Sequence, residues 1–67
     1  MLENRLRELR IQAGLTQAEL AAKVGVSRQT IIALESGRYE PSLRLGMLIA
    51  QQYDCTVEDV FRLSVEK

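Results

Sequence analysis

The chain has 67 residues, 46% of them hydrophobic, and its nine basic and nine acidic side chains give a formal net charge of zero. This length fits one domain, near the lower limit for a fold held by a hydrophobic core alone. The hydrophobic fraction is typical of a globular protein and excludes a disordered tail. We expect one domain over residues 1–67, with its core over residues 6–63 and no separate ligand-sensing domain.

Several classes of protein are disfavoured by the composition. No apolar run is long enough to span a membrane, and the first five residues lack the apolar stretch of a secretion signal, so we expect a cytoplasmic protein. The chain has no histidine and a single cysteine, Cys55, which rules out a Cys/His metal cluster and an internal disulfide. We expect Cys55 to be a small packed residue, and we expect no cofactor, metal or small-molecule ligand.

The charges are distributed unevenly. Residues 1–44 contain seven basic and five acidic side chains, whereas residues 45–67 contain two and four. Affinity for nucleic acid depends on local clusters of Lys and Arg rather than on net charge. Overall neutrality is therefore compatible with nucleic-acid binding by the first two thirds of the chain.

The first helix is predicted from apolar residues at helical spacing. Four of them share one face: Leu2, Leu6, Leu9 and Ala13. Gly14 follows and can end the helix by adopting the left-handed conformation.

A second and a third helix follow at short separation. Thr16 and Glu19 have the spacing of a capping box, which predicts a helix over residues 17–23. Gly25 lies where the chain must turn sharply, and Ser27 caps the next helix. Two helices joined by about four residues form a helix-turn-helix arrangement.

The rest of the chain is also predicted to be mainly helical. Gly37 ends the third helix, Ser42 caps a fourth that runs to about Tyr53, and Thr56 with Asp59 opens a fifth. Alternating apolar residues in the tail are compatible with a short strand: Phe61, Leu63 and Val65. The predicted fold is all-α, a compact five-helix bundle with a possible short C-terminal extension or strand.

The third helix presents an unusual set of side chains on its outer side. One arc contains Arg28, Gln29, Ile32, Ala33 and Ser36, whereas Thr30, Ile31 and Leu34 face the core. Arg28 can donate two hydrogen bonds to guanine, Gln29 can pair with adenine, and Ile32 can contact a thymine methyl group. Such residues are often ordinary surface, but these lie where the second helix of a helix-turn-helix enters the major groove.

A long series of residues then indicates a family. It comprises Leu9-Arg10, residues 14–21, residues 24–27, Ile31, residues 34–37 and Pro41-Ser42. From Leu6 to about Leu63 the sequence resembles the Cro/phage-repressor-like helix-turn-helix regulators, also called the xenobiotic-response-element family. The resemblance implies five helices, no enzymatic activity and a transcriptional regulator, expected to be a repressor, that binds a palindromic double-stranded DNA operator as a homodimer.

The resemblance also implies roles for individual residues. Those at base-reading positions are Arg28, Gln29, Ile32 and Ala33. Those at DNA-backbone positions are Gln17, Ser27, Ser36, Arg38 and Arg44, of which Gln17 lies at a helix N-terminus that attracts anions. Arg10 and Glu35 match a structural ion pair rather than DNA contacts.

The C-terminal part is predicted to form the dimer interface, because the fourth helix is apolar nearly all round and needs more cover than so small a domain offers. The expected interface residues are Val57, Val60, Phe61, Leu63 and Val65. A fourth helix buried wholly within the monomer remains an alternative.

Two other functions remain open at this stage. One is an antitoxin, which would bind both DNA and a toxin and would cover the toxin with the tail after Phe61. The other is a module that makes only protein contacts, in which Arg28 and Gln29 would have no role. An enzyme is not expected, because the chain lacks histidine, a nucleophile beside a base and a glycine-rich phosphate loop.

Overall fold

The computed structural model describes residues 2–64. Within them the elements follow the order β1 (Leu2–Asn4), α1 (Leu6–Gln12), α2 (Gln17–Val24), α3 (Arg28–Glu35), α4 (Leu43–Gln52), α5 (Val57–Val60) and β2 (Phe61–Leu63). The predicted fold class is confirmed, since the described residues form five helices. A small two-stranded sheet pairs the first element, β1, with the last, β2.

The predicted helix starts are explained by capping side chains. The Thr16 hydroxyl accepts from the Glu19 amide at 3.0 Å, and Glu19 Oε1 accepts from the Thr16 amide at 2.8 Å, which completes the capping box. Ser27, Ser42 and Thr56 each accept in the same way from the amide three residues later. Because the first amides of a helix have no partner within the helix, these bonds fix where α2 to α5 begin.

The expected start of the first helix is wrong. Leu2 lies in β1, which pairs antiparallel with β2 in the register Leu2↔Leu63, and α1 begins only at Leu6. The Arg5 amide donates to the Val60 carbonyl at 2.9 Å and so continues the link between the two ends. Leu2 reaches the core by strand pairing rather than by helical periodicity. Val65, predicted to extend the strand, lies outside the described residues.

Every helix contributes to one core. The most completely buried side chains, all at or below 2% exposure, are Leu6, Leu20, Ile31, Leu34, Ile49 and Val60. Burial of each such aliphatic side chain stabilises the fold by about 1.5–3 kcal/mol. Leu20 of α2 together with Ile31 and Leu34 of α3 therefore packs the two central helices against each other.

Cys55 lies half-buried against this core, and burial raises the pKa of its thiol. A thiol with a raised pKa is a weak nucleophile at neutral pH. Among the described helices, none is long and apolar enough to cross a bilayer.

Candidate nucleic-acid interface

The helix-turn-helix is formed by α2, a sharp turn and α3. Gly25 ends α2 in the left-handed conformation with φ of 77°, which a residue with a side chain adopts only under strain. The Val26 amide then donates to the Ala21 carbonyl at 3.0 Å, and Ser27 caps α3 through the Thr30 amide at 3.2 Å. The turn is thus closed by hydrogen bonds on both sides.

The first turn of α3 carries two exposed polar side chains of the candidate surface. Arg28 and Gln29 are exposed, and neither side chain is hydrogen-bonded to another of residues 2–64. Ile32 and Ala33 are half-buried rather than fully outward, because α3 has only eight residues and its flanks are covered where Ile31 and Leu34 enter the core. The freely exposed part of the predicted arc is therefore narrower than expected.

The C-terminal end of α3 holds a second polar group. The Ser36 hydroxyl donates to the Ala33 carbonyl at 2.9 Å and accepts from Arg38 Nε at 3.1 Å. Ser36 is thereby occupied within the turn, while the exposed Arg38 is oriented by it. Ser27 is likewise engaged as the helix cap, so two predicted DNA-backbone residues already have roles in the fold.

An ion pair links α1 to the end of α3. Arg10 Nε donates to Glu35 Oε2 at 2.6 Å, Arg10 Nη2 donates to Glu35 Oε1 at 3.2 Å, and the two side chains are only 12% and 5% exposed. The bond to Glu35 raises the pKa of the Arg10 guanidinium, which therefore stays charged. Arg10 Nη1 also donates to the Leu15 carbonyl at 3.0 Å, which ties the loop before α2 to the same group.

Gln17 is positioned by this ion pair. Its Nε2 donates to Glu35 Oε1 at 3.3 Å, so the carboxylate accepts from Arg10 and Gln17 together. A primary amide nitrogen carries two hydrogens, and the second one is available to another acceptor. Gln17 lies in the first turn of α2, where unpaired backbone amides and the helix dipole also favour an anion.

An open groove runs beside the start of α2 and is rich in arginine. Its lining residues are Arg7, Arg10, Gly14, Leu15, Thr16, Gln17, Ala18 and Arg28. The groove joins the N-terminal end of α2 to the first turn of α3. Arg7 was not singled out from the sequence, although it lies three residues before Arg10 and so shares one side of α1 with it.

Similarity to known proteins decides the family. A model of the helix-turn-helix family matches residues 6–60. An uncharacterized HTH-type transcriptional regulator of Archaeoglobus fulgidus is 52% identical over 60 residues, which cover 90% of this chain and 86% of that protein. The HTH-type regulator YgzD of Bacillus subtilis is 43% identical over 65 residues, covering 97% of this chain and 98% of that protein. The chain belongs to the Cro/phage-repressor-like helix-turn-helix family.

A more distant relative carries a more specific name. The cryptic phage CTXphi transcriptional repressor RstR of Vibrio cholerae is 30% identical over 60 residues, which cover 90% of this chain and 54% of that protein. Family membership establishes the general function of this helix-turn-helix protein as DNA-binding regulation of transcription.

The other residues predicted for this helix-turn-helix protein, Arg44 and those expected at the dimer interface, lie outside α2 and α3. Arg44 is exposed on α4. Of the expected interface residues, Val57 is half-buried, and Val60 and Phe61 are 2% and 5% exposed within the chain's own core. The Phe61 ring packs over Gly46 of α4, 3.9 Å from where a β-carbon would lie, so Val60 and Phe61 offer no free surface to a partner.

Other apolar side chains are exposed on α4 and β2. Leu63, which was expected at the interface, is 76% exposed on β2, and α4 exposes Leu43 at 74% and Met47 at 49%. Leu43 and Met47 are four residues apart and therefore share one face of α4. The sequence predicted incomplete cover of α4 but did not identify which residues remain uncovered.

Proposed function

We propose that this protein is a sequence-specific repressor that binds a palindromic operator as a homodimer, with α3 in the major groove. One observation supports the proposal above the others. The first turn of α3 presents Arg28 and Gln29 without hydrogen bonds to residues 2–64, directly beside the arginine-lined groove at the start of α2. Base readers and phosphate binders thus lie on one continuous surface.

The base-reading residues have distinct chemical tasks. Arg28 suits the two acceptors of guanine, and Gln29 matches the donor and acceptor of adenine. Ile32 and Ala33 retain part of their surface and offer apolar contact to thymine methyl groups. Arg28 and Gln29 therefore carry most of the proposed sequence preference.

The phosphate-binding residues surround this patch. Gln17 keeps its second amide hydrogen for a phosphate oxygen while Glu35 holds the first. Arg7 adds a charge that is not committed to a salt bridge among residues 2–64, unlike the Arg10 guanidinium. Further backbone contacts are proposed for Ser27, Ser36, Arg38 and Arg44. In contrast to Arg28, these groups bind a repeated feature of DNA and do not distinguish sequences.

Homodimer formation accounts for the exposed apolar side chains of α4 and β2. Leu43, Met47 and Leu63 would be covered by a second copy, with the half-buried Val57 at the edge of the contact. A twofold dimer of such domains places two recognition helices about 34 Å apart, facing successive major grooves. Arg62 and Leu63, the first residues of the tail that an antitoxin would use to cover a toxin, are paired with β1, which favours the repressor over the antitoxin alternative.

The decisive experiment is selection of binding sites from random duplex DNA, followed by measurement of transcription from a promoter carrying the selected site. We expect enrichment of an inverted repeat with half-site centres about one helical turn apart, and reduced transcription when the protein is present. Repression is also the activity named for the RstR relative. Failure to enrich any sequence would contradict the proposal, and enrichment of a single half-site would contradict the dimer.

A further inference from the structure

The side chain of Asn4 joins the terminal sheet to the recognition helix. It lies half-buried in β1, and its Nδ2 donates to the Leu34 carbonyl at 2.8 Å across 30 residues of sequence. Its Oδ1 accepts from the Leu6 amide at 3.0 Å. One amide group therefore bonds the first amide of α1 and the Leu34 carbonyl of α3 at the same time.

This contact falls at the point where α3 is attached to the rest of the molecule. The Leu34 carbonyl also accepts from the Gly37 amide at 3.1 Å, within the turn that ends the helix. The next residue, Glu35, is fixed by Arg10 of α1. The C-terminal end of α3 is thus held from two sides, by the sheet through Asn4 and by α1 through Arg10.

At the N-terminal end of α3, no side-chain hydrogen bond among residues 2–64 reaches another helix, and this end is held by the buried Ile31 and by the turn that follows α2. Ser27 and Thr30 bond to each other, and Arg28 and Gln29 extend from the surface. Arg28 precedes Leu34 by about 9 Å along the helix axis, so a rotation of about 2° at the Leu34 attachment displaces the Arg28 backbone by about 0.3 Å. Readout of bases requires hydrogen-bond geometry accurate to a few tenths of an ångström.

We propose that Asn4 is a positioning residue for sequence recognition, which sets the orientation of α3 from the terminal sheet without touching DNA. This inference rests on the proposed role of α3 as the base-reading helix. It assigns the two-stranded sheet a part in recognition in addition to its part in stability. It also predicts that α3 shifts in the free protein when the bond to Leu34 is lost.

Two substitutions separate the two bonds of Asn4. Asn4→Asp keeps an acceptor for the Leu6 amide but removes the donor to the Leu34 carbonyl, whereas Asn4→Ala removes both. Glu3→Gln is the matched control, because Glu3 is the neighbouring residue of β1 and bonds only to exposed Arg62 across the same sheet. All three variants are compared with the unmodified chain at a temperature at which each is fully folded.

The first measurement uses the free protein and does not depend on DNA. Amide chemical shifts of residues 28–31, which are remote from the lost bond at the Leu34 carbonyl, should change in Asn4→Asp and Asn4→Ala but not in Glu3→Gln. The second measures affinity for the selected operator and for random-sequence duplex. In both Asn4 variants the ratio of the two affinities should fall by about 3- to 10-fold, as expected when one hydrogen bond no longer fixes the helix, with affinity for random DNA unchanged.

A purely structural Asn4 would give a different result. The melting temperature would fall, while the amide shifts of residues 28–31 and the affinity ratio of the folded protein would match those of Glu3→Gln, and this would overturn the proposal. If the unmodified chain selected no operator, the proposed function would fail. The amide shifts alone would then support or overturn the positioning of α3 by Asn4.

Discussion

The surface proposed to bind DNA contains two kinds of arginine. Arg28 projects from the first turn of α3, whereas Arg7 lines the groove beside α2. With α3 in the major groove as proposed, the first would contact base edges and the second the DNA backbone. Substitution of Arg28 should therefore change the base preference, and substitution of Arg7 the salt dependence, even if both weaken binding.

Replacement of Arg28 by alanine should relax the preference at one base pair of each half-site. A bidentate contact discriminates against the wrong base by about 1–3 kcal/mol, and that discrimination should be lost. The measurement is a set of affinities for operators that carry each single base change. A uniform loss of affinity with unchanged preferences would show that Arg28 is a backbone contact.

Replacement of Arg7 by alanine should weaken binding to operator and random duplex alike. Loss of one phosphate contact should also reduce the slope of log K against log salt by about 1. Titrations at several salt concentrations test both effects. Arg62→Ala is the control, since Arg62 lies on the terminal sheet in an exposed pair with Glu3, and it should leave the slope unchanged.

Substitution of Glu35 by glutamine should destabilise the fold strongly. It leaves the Arg10 charge only 12% exposed and without its counter-ion, a change that costs about 3–5 kcal/mol in comparable buried pairs. Urea denaturation gives the free energy of unfolding. Glu3→Gln breaks a pair whose side chains are 78% and 50% exposed and should cost less than about 1 kcal/mol. Equal losses of unfolding free energy in Glu35→Gln and Glu3→Gln would refute the distinction between a buried and an exposed ion pair.

At the scale of single elements, two capping boxes link helix stability to pH. Bonds from the Thr16 and Thr56 amides lower the pKa of Glu19 and Asp59 below their ordinary values of 4.5 and 3.8. Because the folded state favours the ionised carboxylates, their contribution is complete above about pH 4.5 and is lost as pH falls through the lowered values. Stability should therefore decline with acidification below this range.

Thermal unfolding measured from pH 6 down to pH 2.5 tests that dependence. Glu19→Gln keeps an acceptor for the Thr16 amide but cannot titrate, so its melting temperature should decline less steeply over the acid range. Glu40→Gln removes an exposed loop charge with no capping bond and serves as control. A Glu19→Gln profile parallel to that of the unmodified chain would contradict the linkage.

The same elements show why some structure was predictable from sequence and some was not. Thr16 and Ser27 bond to amides three residues away, so the signals for α2 and α3 are contained in a few neighbouring residues. The strand β1 exists because of a partner that lies at the other end of the described chain. No local pattern records that partner, and Leu2 was consequently assigned to a helix.

The candidate site divides in the same way. Arg28 and Gln29 follow from their position after the Ser27 cap, and the Arg10–Glu35 pair matched a family pattern. The half-burial of Ile32 and the contribution of Arg7 to the groove depend on how α1, α2 and α3 pack together. Helical periodicity gives the direction of a side chain but not the extent to which neighbouring elements cover it.

At the scale of the whole molecule, neutrality and DNA binding are reconciled by an uneven distribution of charge. The groove beside α2 is lined by three arginines, of which Arg10 is paired with Glu35, whereas the pocket beside α5 and the terminal sheet is lined by four carboxylates and two arginines. The proposed dimer residues Leu43, Met47 and Leu63 are not among the residues that line the groove beside α2. Each copy can therefore use one surface for DNA and another for its partner.

Introduction of a charge into the exposed apolar surface should dissociate the dimer. Met47→Glu places a carboxylate where two copies are proposed to meet, and burial of an unpaired charge opposes association. Sedimentation at micromolar concentration should show the unmodified chain as a dimer and the variant as a folded monomer with weakened operator binding. Ile11→Glu changes an equally exposed residue of α1 as control. A monomeric unmodified chain would refute the proposed dimer.

The pairing of β1 with β2 has a consequence for the order of folding. Its partners are 59 residues apart at Glu3 and Arg62, so closure of nearly the whole described chain must precede this contact. Contacts between α2 and α3 span far less sequence and carry a much smaller loop-closure entropy. We therefore expect the helix pair to form early and the sheet to join last. In that order, α3 exists as a helix before Asn4 fixes its orientation. Formation of the helices and acquisition of sequence preference then become separable steps.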